Sequence, residues 1–144
     1  MNKIVIISLG LLCLLPNSEN KIEKNTNTIE VIKFMYLDNY PMAIDTKSFW
    51  KFPNEHAKFI LPLGRNTFLD EIKTLQKNNC DSLTFINYAF VIKKKGTLND
   101  TVYADFTLKT WIFKENRKIN CYYDEKETYS EFLRENYPFF KDCW

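Results

Sequence analysis

The sequence predicts an α+β domain: N-terminal helices, a three-stranded antiparallel β-meander, and a C-terminal helix packed on the sheet. Three observations predict it. Apolar residues between positions 29 and 75 crowd into runs or recur at helical spacing. Segments after position 83 are rich in β-branched and aromatic residues and are separated by short turns. The final stretch is amphipathic and is bounded by Asp124 and Pro138.

The amino terminus comes first. Lys3 is followed by an apolar run from Ile4 to Leu15, then by Pro16, Asn17 and Ser18. Twelve residues are too few for a membrane span, which needs about 20. A basic residue before a short apolar run is the pattern of an export signal. Residues 1–20 are therefore expected to be a signal peptide or lipoprotein-like export signal, 21–27 a polar spacer, and 28–144 a single domain. The expected location is the periplasm or cell envelope. Lipidation at Cys13 is disfavoured, because Leu12 is too large for the preceding position and Cys13 lies inside the apolar run. An acylated Cys13 would tether the domain to a membrane surface.

Asn27 and Glu30 form a capping-box-like start, and Pro41 a stop, for a helix over Ile29–Asn39. Only Glu30, Lys33 and Asp38 interrupt its apolar surface, so it is expected at the centre of the core. Between Asp45 and Leu63, two short helices fit DTKSFWKF and NEHAKFIL around Pro53. A firmer helix fits TFLDEIKTLQKNN, with Thr67 as cap and Phe68, Leu69, Ile72 and Leu75 as its buried stripe.

The strands follow. Leu83–Lys93 is the first, and GTLND supplies a turn. Thr101–Lys114 alternates throughout and is expected as one strand. Val102, Ala104, Phe106, Leu108, Thr110 and Ile112 would line one face, and Tyr103, Asp105, Lys109 and Trp111 the other. ENRK makes the next turn and Ile119–Asp124 the third strand. Asp124 and Glu127 then cap a helix whose Tyr129, Phe132 and Leu133 face the sheet. Helices preceding an antiparallel sheet also resemble the NTF2-like cone. That resemblance is architectural, carries no residue motif, and implies only a curved sheet.

Composition excludes several chemistries. Three glycines cannot build a Gly-rich phosphate loop, and a single histidine cannot build a multi-histidine metal site. No GxSxG elbow and no CxxC pair occur. Twenty bases against 18 acids give a net charge of +2 and no electrostatic case for nucleic acid. No cofactor or metal is expected. In the exported part, Cys80, Cys121 and Cys143 allow one bridge. Cys121–Cys143 is the preferred pairing, because it would staple the tail to the sheet; three buried free thiols are the alternative.

The expected binding surface is the second face of the middle strand: Tyr103, Asp105, Lys109 and Trp111, with Tyr122 across from them. Aromatic anchors supply contact area and the charges fix orientation, as in a ligand groove or protein interface. The competing reading is that a helix covers this face and makes its aromatics core. The leading functional expectation is a non-enzymatic envelope protein of binding or inhibitor/immunity type, holding a protein partner or a small apolar ligand. The first alternative is a hydrolase using His56 with a carboxylate or thiol. The second is a purely structural envelope component.

Overall fold

The computed structural model of the chain describes residues 28–35, 44–80, 85–93 and 99–141. Their backbone forms an antiparallel sheet of seven strands: β1 (Ile29–Phe34), β2 (His56–Leu61), β3 (Gln76–Asn78), β4 (Ile86–Ile92), β5 (Asp100–Asp105), β6 (Thr110–Glu115) and β7 (Lys118–Tyr123). The spatial order is β2-β1-β4-β5-β6-β7-β3. Two α-helices complete it, α1 (Arg65–Thr74) and α2 (Thr128–Asn136), with short 3-10 turns at Phe49–Lys51, Pro53–Glu55 and Pro138–Phe140.

This overturns the expected fold class. The sheet has seven strands rather than three, and the expected first helix is a strand in its interior. β1 pairs antiparallel with β2 on one side and β4 on the other. Its apolar residues divide between the two faces: Ile29 and Val31 lie in the core beneath the helices, and Ile32 and Phe34 in a second core on the opposite face. A strand buried on both faces and a helix buried on all sides produce the same unbroken apolar run. The β-branched Ile29, Val31 and Ile32 favour the strand, and pairing on both edges decides it. The NTF2-like alternative fails for the same reason, because it rested on helices preceding the sheet.

The second expected helix in 54–61 is likewise β2, after the 3-10 turn at Pro53–Glu55. The helix expected over 67–79 starts earlier, at Arg65 after Gly64, and ends at Thr74. Gln76–Asn78 instead pair with Cys121–Tyr123 of β7. The strand expected over 101–114 is two strands. Asp105 makes the corner: its Oδ1 accepts the amides of Lys109 at 3.0 Å and Thr110 at 3.2 Å, and the Thr107 hydroxyl donates to the same carboxylate. Leu108 takes a left-handed backbone there, φ 58°, and its side chain is fully buried. Burial of that side chain offsets the backbone strain. Asn116 and Arg117, both at positive φ, close the β6–β7 hairpin within ENRK.

The main core lies between the sheet and the helices. Phe68 and Ile72 of α1, Tyr129 and Leu133 of α2, and Phe140 cover Tyr88, Phe90, Val102, Ala104, Trp111, Phe113 and Tyr122. The second core is smaller, with Ile44, Phe49 and Phe52 set over Ile32, Phe34, Ile86 and Ala89. A bulge between Ile86 and Tyr88 lets these two even-numbered residues face opposite ways.

The expected export segment 1–20, spacer 21–27, Cys13 and Cys143 lie outside the described residues. Among those described, no helix is long and apolar enough to cross a membrane. Cys121 is bonded to Cys80, which corrects the expected Cys121–Cys143 pairing. The physical reason is register: Asn78 pairs with Cys121, so Cys80 emerges from β3 directly beside it.

Candidate functional site

The five residues expected to share one surface are not brought together. Tyr103 is opposite Ile112, and Ala104 is opposite Trp111. Cross-strand partners share a face, so Trp111 stands with Ala104 beneath the helices, while Tyr103 stands with Ile112 on the reverse side. The four-residue corner at 106–109 changes the parity between the two strands. Trp111 is fully buried between Phe68, Phe90 and Tyr129, and Tyr122 stacks on Phe113 in the same core. The competing reading of this face, aromatics covered by helices, therefore holds for Trp111 and Tyr122. Asp105 is taken up by the corner. Lys109 pairs its ammonium with Glu127.

Tyr103 has a different setting. Its hydroxyl accepts a hydrogen bond from Trp50 Nε1 at 2.9 Å, and its ring meets Phe49 edge-on. His56 belongs to this cluster. It stacks on Phe49 at 4.7 Å, meets Phe34 and Trp50 edge-on, and donates Nε2–H to the Phe49 carbonyl at 3.0 Å. Burial pushes its pKa below the ordinary 6.5, opposed by the Phe49 carbonyl and aided by the Lys58 charge. Among the described residues, no hydrogen bond joins His56 to a carboxylate or thiol. Its geometry is that of a packed aromatic rather than a proton-transfer dyad.

The concave site lies elsewhere, between the two helices at the β7–β3 end of the sheet. A cleft of about 590 Å³ is walled by Glu71 of α1, Leu75 and Gln76 entering β3, Tyr123 ending β7, and Tyr129 and Phe132 of α2. Each wall follows from the local sequence. α1 stops at Thr74 because the chain turns into β3, which the Cys80–Cys121 bond and its pairing with β7 hold in place. α2 starts where it does because Asp124 Oδ2 accepts the amides of Tyr129 at 2.9 Å and Ser130 at 2.8 Å. The corner at Asp105 braces α2 from outside: the Lys109 carbonyl accepts the Asp124 amide, and Arg134 donates to the Thr107 carbonyl.

Tyr129 lines this cleft. It is 6% exposed, and among the described residues its hydroxyl has no hydrogen-bond partner. Burial, reinforced by the Glu71 carboxylate, holds that hydroxyl protonated far above the ordinary tyrosine range. It is therefore a neutral hydroxyl enclosed by the packing behind the cleft wall rather than open to the cleft. Among the described residues no group of three His, Cys, Asp or Glu side chains is placed to hold a metal ion.

The sequence places Tyr129, Phe132 and Leu75 in apolar stripes but assigns no site to them. The available signal was chemical: tyrosine carries a polar tip on a core-facing position, and such a tip needs a partner when buried. Compared with known proteins, the chain matches no family model, no curated protein and no solved structure. The functional reading rests on the geometry.

Proposed function

We propose that the protein is a small exported binding protein that holds a compact, largely apolar molecule in the α1–α2 cleft. One observation carries this reading: the cleft between α1 and α2 is concave, and most of its lining surface is apolar. The volume suits a small-molecule site, for which about 300–1,000 Å³ is usual. The Cys80–Cys121 bond supports the exported part of the proposal, because structural disulfides persist in oxidising compartments.

The test uses N-phenyl-1-naphthylamine, a neutral apolar fluorophore that brightens on leaving water. Saturable binding with one site per chain is expected. Thr67→Trp, which adds bulk to the cleft wall from an exposed position, should abolish it while leaving the thermal transition cooperative. Equal binding by the wild type and this variant would place the probe elsewhere and defeat the proposal.

A further inference from the structure

We infer that the α1–α2 cleft selects a cationic amphiphile, an alkyl or aryl body bearing an amine, over a fatty acid or other anion. This deepens the ligand-site reading above and rests on it. The charges around the cleft are Glu71 on α1, Asp124 and Glu125 after β7, and a single base, Lys126. The start of a helix ordinarily offers amide N–H groups to an anion. Here Asp124 has already taken the amides of Tyr129 and Ser130, so α2 presents neither of them to a ligand.

What remains is a rim of three acids and one base around a mostly apolar interior. Glu71 stands on this rim and sets its negative charge beside the apolar walls. A carboxylate head placed in the cleft would meet this field unfavourably and would lose its hydration. An ammonium at the rim would pair with Glu71 or Glu125 while its apolar body covers Leu75 and Phe132. Selection between heads therefore comes from the rim charges, and affinity from the apolar walls.

Three probes of equal chain length test this on the isotope-labelled full chain at neutral pH: hexylamine, 1-hexanol and hexanoate, followed by backbone amide shifts. All binding should map to Thr67, Leu75 and Tyr129. Hexylamine should bind tighter than hexanoate by on the order of threefold to tenfold, the effect of one or two half-exposed ion pairs, with hexanol between them. Raising the salt concentration should erase the difference between amine and carboxylate while leaving hexanol unchanged. Glu71→Gln should weaken hexylamine alone. Hexanoate binding as tightly as hexylamine overturns the inference and leaves the cleft as a ligand site. Failure of all three probes to move the cleft amides overturns both readings.

Discussion

Asp124 and Tyr129 are joined through the backbone: the Asp124 carboxylate accepts the Tyr129 amide at 2.9 Å, and the same oxygen accepts Ser130. A buried carboxylate thus fixes the first turn of α2, and with it the direction in which the Tyr129 ring enters the cleft. Asp124→Ala leaves two helix-start amides without their partner. We expect a loss of roughly 1–3 kcal/mol, measured by urea denaturation. Asp124→Asn should lose less, since an amide oxygen still caps. An Ala variant with an unchanged midpoint would mean that the cap is dispensable.

Tyr129→Phe separates stability from binding. Removing a buried hydroxyl that has no partner among the described residues should raise stability by roughly 1 kcal/mol or more. It should leave 1-hexanol binding unchanged, since that hydroxyl is closed off from the cleft. Thermal denaturation checks the first effect and calorimetric titration the second. A variant that loses stability would show that the hydroxyl has a partner in the free protein.

The two faces of the β5–β6 hairpin predict unequal mutational costs. Trp111→Ala opens a large void in the main core, and a loss of roughly 3–5 kcal/mol is expected. Tyr103→Phe removes only the acceptor of the Trp50 Nε1 bond, at a partly exposed site, and should cost under about 1 kcal/mol. Equilibrium unfolding of both variants gives the comparison. Similar losses would contradict the assignment of the two rings to opposite faces.

Cleavage of the folded protein under non-reducing conditions should release a peptide pair joined through Cys80 and Cys121. The bridge closes a separation of 41 residues. Its replacement by Ala at both positions should cost roughly 2–4 kcal/mol on the chain-entropy argument. It should also loosen β3 and hence the cleft, visible as faster amide exchange at Gln76–Asn78. Recovery of a Cys121–Cys143 pair instead would refute the β3–β7 register.

Glu30 and His56 both contribute to the acid limb of stability. The Lys93 ammonium, with Lys58 adding to it, holds the Glu30 carboxyl below its ordinary 4.5 against the opposing effect of burial. A carboxyl depressed in the folded state contributes stability that is complete above its unfolded value and lost as pH falls through its folded value. His56 also acts through a lowered pKa, set first by burial, but here the unfolded chain takes up the proton more readily. Its contribution is complete above 6.5 and declines as pH falls from there towards the folded value. Glu30→Gln should therefore flatten the stability curve below about pH 4.5, and His56→Phe should flatten it just below about pH 6.5. Urea midpoints across that range are the measurement, and parallel curves for all three proteins would disprove the assignment.

Some of this was legible from local chemistry. β4 falls within the segment expected as a strand, and β7 overlaps its expected segment over 119–123, because β-branched and aromatic residues crowd there between turns. The ENRK turn is a hairpin because two residues suffice to reverse the chain. Asp124 as the cap of the last helix follows from a short acceptor set just before an amphipathic stripe. These features depend on residues within a few positions of one another, and the sequence by itself determined them.

The rest needed distant partners. Ile29–Phe34 is a strand because β2 and β4 pair with both of its edges, and no local pattern distinguishes that from a buried helix. Tyr103 and Trp111 part company because Asp105 gathers the amides of the corner, which resets the alternation between them. Cys121 finds Cys80 because β3 lies beside β7. The cleft exists only where α1, β3, β7 and α2 meet. Pairing, parity and concavity are properties of the packed whole, so only the tertiary structure decided them.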